Sequence, residues 1–231
     1  MERHMSKTVA KLIEGMIDTA ILPLSPRQRE KTVARIVFNL DRKGMRNIET
    51  SRGSLRFHAA RGAGAASSVE RFHRDEPETL EWIDTYIQSG ETLWDIGANI
   101  GLYSLYAGLK RDVTVYAFEP YALNFSLLVE HIRLNDRGGN IKPLCVGLGK
   151  ATRIDSLNIK EFSVGQASNA LGASENQFGA FLPDFMQAVP AFSASDFCNI
   201  FNVKPPDHVK LDVDGIEGDI LAGMNDILPR I

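Results

Sequence analysis

Apolar residues recur along this chain with two different periods, and the change of period marks its parts. In residues 6–22, Val9, Leu12, Ile13, Met16, Ile17 and Ile21 fall three and four apart, the spacing of one helix face. Pro23 and Pro26 break that stripe. A second helix is predicted with Ser25 as N-cap, Pro26 in its first turn and Gln28 completing a capping box. Its stripe is Val33, Ile36, Val37 and Leu40. Two short β-rich runs, 46–50 and 55–58, flank Arg52-Gly53 and predict a hairpin. Residues 59–68 are Ala, Gly, Ser and Arg and read as a flexible connection. Asp75-Glu-Pro-Glu78 then opens a helix with Leu80, Ile83 and Ile87 inside and Gly90 as its left-handed cap.

From residue 92 onward short β-rich runs alternate with helical stripes. Thr92–Trp94 suits a buried strand that Asp95 ends, and Leu102, Leu105, Tyr106 and Leu109 begin a helix at Gly101. Val113–Phe118 predicts a second strand, 123–134 a helix, 141–146 a third strand, and 209–213 a fourth. Ile216, Ile220, Leu221 and Met224 form a closing helix stripe. Such alternation predicts an α/β fold with a parallel, doubly wound, Rossmann-like sheet. Residues 151–191 show no steady period and are expected to be a loop with apolar anchors at Phe178, Phe181, Phe185 and Met186. Such a loop shapes acceptor choice or is an inert insertion; the pattern does not choose. The organisation expected is a helical extension with a hairpin over 1–68 and an α/β domain over 69–231.

Composition changes this picture little, and charge somewhat more. Two cysteines, Cys145 and Cys198, give neither a disulfide framework nor metal-ligand spacing, and a reducing cytoplasm is the expected compartment. No apolar run has the length of a membrane span. Residues 1–62 carry 13 Lys and Arg against 6 Asp and Glu, whereas residues 63–231 carry 13 against 23. A basic extension on an acidic domain suits nucleic acid, an anionic membrane surface or the acidic domain itself; docking on its own domain is the reading favoured, and no nucleic-acid partner is expected because interleaved aromatics are missing.

The chemistry is expected where the first strand meets its helix. The turn is Asp95-Ile-Gly97-Ala-Asn99-Ile-Gly101. It fails the dinucleotide fingerprint, since Asn99 and Leu102 stand where the second and third glycines belong, and no phosphate-loop Lys follows. An acid at the mouth repels a pyrophosphate and suits a cation such as an amine or a sulfonium. Glu119 ends the second strand, 18 residues after Gly101, where a carboxylate accepts hydrogen bonds from both hydroxyls of a ribose.

Trp94-Asp-Ile-Gly-Ala-Asn-Ile-Gly101, Tyr116-Ala-Phe-Glu-Pro120 and Val209-Lys-Leu-Asp-Val-Asp-Gly-Ile-Glu217, in that order, resemble the motifs of the FkbM-type methyltransferases. The resemblance covers roughly residues 70–224. It implies a class I fold, S-adenosyl-L-methionine as cofactor, and O-methylation of a sugar or another small hydroxylated molecule. It further implies that Asp95, Gly97, Asn99 and Gly101 surround the methionine part of the cofactor, that Glu119 holds the ribose, and that Gly147 borders the adenine. Asp212 is the candidate general base, with orienting the cofactor's ammonium or binding a metal as rival roles. No metal is expected to be required. The family commonly has Glu-Gly where this chain has Asp214-Gly215. A Glu-x-x-Thr segment before the first strand is also common there; helix capping explains Glu76 and Thr79 equally well. A class I domain has seven strands and four are visible, so the chain is expected to be a fragment or cut short. Rival readings are a non-catalytic interaction module and an NAD-dependent oxidoreductase. Oligomeric state and acceptor identity are not encoded legibly.

Overall fold

The structure, a computed structural model, describes residues 2–176 and 178–230. The chain divides into two units, Met1–Gly44 and Met45–Ile231. The first is a helical hairpin of α1 (Glu2–Ile21) and α2 (Pro26–Lys43). At its turn the Gln28 side chain accepts from Ser25 N–H at 3.0 Å and from Ser25 Oγ at 2.8 Å. Arg29 Nε donates to the Leu24 carbonyl at 2.8 Å. These bonds satisfy groups that a helix start and a helix end leave open. Ile17, Ile21 and Ile36 line the seam between the helices. No helix among the described residues is long and apolar enough to cross a membrane.

The second unit opens with an antiparallel hairpin, β1 (Met45–Thr50) and β2 (Gly53–His58), paired from Met45↔His58 to Thr50↔Gly53. A short 3-10 turn, Ala59–Arg61, and α3 (Ala63–Glu70) follow. The segment expected to be a flexible connection is therefore helical, with Ala65 and Val69 buried. Leu55 and Phe57 are wholly buried as well. The unit thus begins at Met45, ahead of residue 69, because small-residue composition hid a well-packed contact.

Next come α4 (Pro77–Tyr86), β3 (Thr92–Ile96), α5 (Leu102–Ala107), β4 (Thr114–Phe118), α6 (Ala122–Leu134) and β5 (Ile141–Leu144). Near the end of the described chain, α7 (Ala194–Phe201) precedes β12 (His208–Leu211), and α8 (Glu217–Gly223) follows it. The strands form one parallel sheet in the order β12-β3-β4-β5. Side chains alternate across a strand, so each strand feeds two cores. Leu93, Val115 and Ala117 pack with Ile83, Leu105 and Leu128 on one face. Trp94, Ile96 and Phe118 pack with Phe197, Ile220 and Met224 on the other. Helices on both faces make the sheet doubly wound, as the alternating pattern requires. Lys210 and Asp95, paired across β12 and β3, sit on the same face as Leu93.

Residues 147–192 hold a second sheet rather than a loop. β6 (Gly147–Leu148), β7 (Arg153–Ile159), β8 (Ala170–Leu171) and β11 (Phe185–Phe192) lie in the order β6-β11-β7-β8, while β9 (Glu175–Asn176) and β10 (Gly179–Ala180) form a separate pair. β7 and β11 are antiparallel from Arg153↔Ala191 to Ile159↔Phe185. Their pattern is illegible because buried polar and exposed apolar residues interrupt it. Asn158 is buried and donates to the Ala170 and Gly172 carbonyls, while Ile154 is exposed.

Two buried polar side chains brace the first sheet. His131 in α6 accepts from His58 N–H at Nε2 (2.9 Å), which leaves Nδ1–H to donate to the Ile100 carbonyl (2.8 Å). That bond ties the hairpin to the glycine turn. Asn140 Nδ2 lies within 3.0–3.1 Å of the carbonyls of Gly108, Lys110 and Val113, closing the connection from α5 to β4. Asn140→Ala strands those buried carbonyls. It is expected to lower stability by about 2 kcal/mol, seen as a lower urea midpoint at an unchanged m-value.

Candidate active site

The turn after β3 is shaped by the approach of its neighbours. Gly97 and Ala98 N–H both donate to the Phe118 carbonyl at 3.0 Å, and Asp212 N–H donates to the Ile96 carbonyl at 3.1 Å. The exits of three strands are thereby stitched together. A Cβ on Gly97 would stand 2.0 Å from the Asp212 carbonyl oxygen, and its φ is +84°. Both facts demand glycine. Asn99 follows at φ 50°, a left-handed conformation that Asn adopts more readily than most non-glycine residues. Gly101 starts α5, and a Cβ there would meet Leu128 Cδ1 at 2.4 Å.

Above this turn lies a cleft of two lobes. The larger encloses about 790 Å³, solvent at its mouth included, and is lined by Gly97, Asn99, Glu119, Tyr121, Gly147 and Asp212 among others. The smaller, about 540 Å³, is lined by Asp75, Glu76, Tyr103, Lys210 and again Gly97, Asn99 and Asp212. The glycine turn and Asp212 therefore stand at the junction.

Glu119 dominates the larger lobe. It is 6 % exposed, with Oε2 accepting from Asn99 N–H at 2.7 Å and Oε1 from Tyr121 N–H at 2.9 Å. Burial pushes its carboxyl up to about 7; the two backbone donors oppose that shift, and the nearby Asp95 carboxylate adds to it. Each oxygen keeps acceptor capacity beyond the one backbone bond.

The smaller lobe is a knot of charge. Asp95 is 1 % exposed, and its Oδ2 accepts from Ser104 Oγ at 2.5 Å. Its Oδ1 has no hydrogen-bond partner among the described residues and lies 3.8 Å from Lys210 Nζ. Lys210 donates to Asp212 Oδ2 at 3.2 Å. Burial alone would lower the Lys210 ammonium, but Asp95, Asp212 and Glu76 outweigh burial and hold it above the usual lysine range. Its Nζ also sits 5.1 Å over the Tyr103 ring. The Tyr103 hydroxyl is itself pushed up, first by burial and then by Glu76, Asp75, Asp212 and Asp95. Thr79 Oγ1 donates to Glu76 Oε2 at 2.9 Å, so Glu76 both stands at the helix start and faces the lobe.

Of the residues singled out in the sequence, Gly97, Asn99, Glu119, Gly147 and Asp212 line the cleft. Asp95 lies beneath the turn, held by Ser104, and Gly101 packs against α6 behind the wall. β12 ends at Leu211, so Asp212 and Asp214 follow the strand instead of lying in it; both still line the larger lobe. Lys210, Tyr121, Asn124 and residues 166–169 also belong to the cleft. Lys210 could have been found, because it stands inside the predicted strand 209–213, two residues before Asp212. The others carry no sequence signal.

A glutamate with the ordinary value of 4.5 unfolded and about 7 folded binds more protons in the folded state between those two pH values. Stability must then fall as pH rises from about 4.5 to about 7, by about 3 kcal/mol from this group, and level off above. Urea unfolding at a series of pH values should show that slope in the wild type and lose it in Glu119→Gln.

Comparison with known proteins gives a family for this chain. The model of the methyltransferase FkbM domain matches residues 95–231. Hexuronic acid methyltransferase AglP of Haloferax volcanii is 24% identical over 159 residues, which cover 68% of this chain and 60% of that protein. Methyltransferase 1 of Beauveria bassiana is 29% identical over 144 residues, 57% of each chain. The chain thus spans less than two thirds of the length of these curated relatives. Among solved structures, TYW2 of P. horikoshii in complex with MeSAdo overlaps 45% of this chain and 36% of its own, at a TM-score of 0.33 and 19% identity. The fold assignment stands on the strand order and on the family match, which covers more than half of the chain. With the β12-β3-β4-β5 order and the glycine turn in place, the chain belongs to the FkbM methyltransferase family and has the class I methyltransferase fold.

Proposed function

We propose that this chain is the cofactor-binding part of an O-methyltransferase that uses S-adenosyl-L-methionine and acts on a hydroxyl of a sugar or another small molecule. The observation that carries the reading is Glu119. It is a buried carboxylate at the exit of β4, anchored by two backbone donors and turned to the larger lobe with acceptor capacity to spare. A pair of ribose hydroxyls fits that need. Asn99 Oδ1 is buried without a hydrogen-bond partner among the described residues and fits a donor from the same ligand.

The smaller lobe suits the amino-acid end of the cofactor. It presents Asp75, Glu76 and Asp212 together with Lys210, opposite charges for an ammonium and a carboxylate. Bound across both lobes, S-adenosyl-L-methionine supplies a methyl group on a positively charged sulfur. The acids around the junction favour that charge. Lys210 fixes one oxygen of Asp212, leaving the other to accept the proton of an acceptor hydroxyl at the junction. Holding acceptor, methyl and sulfur in line is by orientation alone worth several kcal/mol. A sugar acceptor is supported by the relative named as a hexuronic acid methyltransferase.

Calorimetric titration with S-adenosylhomocysteine tests this reading, with NAD as a control. Saturable binding to the homocysteine compound alone is expected; binding of NAD alone would overturn the assignment. Glu119→Ala removes two charge-assisted acceptors and should weaken S-adenosylhomocysteine about 100-fold or more. Because the ionised carboxylate is the better acceptor, wild-type affinity should rise as pH increases through about 7, and the variant should lose that dependence. Asp212→Asn should weaken S-adenosylhomocysteine only about 10-fold, because Asp75 and Glu76 remain for the ammonium, while turnover on a hydroxylated sugar acceptor falls about 10²–10⁴-fold.

A further inference from the structure

We infer that residues 163–169 form a strap across the nucleoside lobe, and that Asn124 and Asp214 are the positioning residues that fasten it. The inference rests on the reading of that lobe as the adenosine site.

Ten residues separate β7 from β8, and within them Gln166, Ala167, Ser168 and Asn169 line the larger lobe. This segment belongs by sequence to the second sheet, yet it is bonded to Asn124 of α6 and to Asp214 of the turn beyond β12. Asn124, 2 % exposed in the first turn of α6, accepts from Gly165 N–H at 2.7 Å and donates to the Gln166 carbonyl at 3.0 Å. One amide thus meets both a donor and an acceptor of the strap backbone, as a neighbouring strand would. The base of the strap is pressed backbone to backbone on the start of α3. A Cβ on Gly64 would lie 2.4 Å from the Gly165 carbonyl oxygen, and a Cβ on Gly165 would lie 2.2 Å from Ala65 N. Val164 packs into the core beside it. This end is fixed.

The other end depends on a carboxylate. Ser168 N–H donates to Asp214 Oδ2 at 2.6 Å, a short charge-assisted bond. Ser168 and Asp214 both have left-handed backbones, φ 66° and 61°. Non-glycine residues take that conformation at a cost, and it persists where surroundings impose it. The turn that presents Asp214 is pinned by Glu217, whose carboxylate accepts from Gly215 N–H at 3.1 and 3.2 Å. Asp214 stands two residues beyond Asp212. The latch of the nucleoside lobe and the candidate base are therefore carried by one turn, and closure over the cofactor and placement of the base are coupled through it. Freeing the strap at Asp214 opens the lobe and speeds release of whatever nucleoside it covers.

Hydrogen exchange of residues 163–169, run beside S-adenosylhomocysteine titration, tests this on the whole chain with Asp214→Ala, Asp214→Asn and Asn124→Ala. Asp214→Ala and Asp214→Asn should lose amide protection over 167–169 while β3 and β4 keep theirs. Their affinity should fall about 10- to 100-fold, through faster dissociation. Asp214→Glu, which keeps the charge, should recover part of both. Asn124→Ala should loosen Gly165 in the same way. Unchanged strap protection in folded Asp214→Asn overturns the latch, whether or not the ligand binds. Lost protection with unchanged affinity overturns its role in closing the lobe. If the wild type binds no S-adenosylhomocysteine, the adenosine reading fails, and with it the coupling to a cofactor; exchange alone then judges the strap.

Discussion

The rest of the site depends on how closely β3 and β12 leave the sheet together. A side chain as small as a methyl at Gly97 would collide with the Asp212 carbonyl. Because there is none, the two strand exits touch, and four charged groups of different origin converge. Asp95 comes from β3, Lys210 from β12, Asp212 from the turn beyond it, and Glu76 from the residue that precedes α4. Strand pairing brings Asp95 and Lys210 level, and the alternation of side chains turns both to one face. Separated by an ordinary side chain, these groups would be an acid under a helix and a lysine at a sheet edge.

Charge in so small a volume needs arrangement. Two carboxylates flank one ammonium, and a serine hydroxyl and a helix start complete the shell. Buried ion pairs give little stability relative to an apolar core, since desolvation offsets most of the attraction. Their presence at the junction of two lobes fits a binding role better than a structural one. Glu119 shows the same tension from the other side: a carboxyl raised towards neutrality by burial and oriented by backbone amides, so that a ligand's hydroxyls meet an acceptor already in place.

The second sheet contributes in a different manner. It delivers a strap whose residues 166–169 wall the larger lobe. Glycine-to-glycine contact holds one end of the strap, and the Asp214 carboxylate meets the other. On the proposed reading, one releasable wall lets the larger lobe admit and retain a ligand on the same scaffold.

The parallel strands and their helices were legible because buried strands and helix stripes write their periods into the sequence, and Asp95, Gly97, Asn99, Glu119 and Asp212 because their motifs fix both residue type and spacing. Tertiary structure alone decided the remainder. The hairpin and α3 belong to the second unit because Leu55, Phe57 and Ala65 are buried there, a fact that a stretch of alanine, glycine and serine does not disclose. The second sheet escaped the pattern because Asn158 is satisfied inside by carbonyls from another strand. Asn124, Lys210 and Asp214 acquire their roles from partners 41, 115 and 46 residues away. Local sequence governs what the chain does within a turn or a strand; contacts across such separations exist only once packing has brought the backbones together.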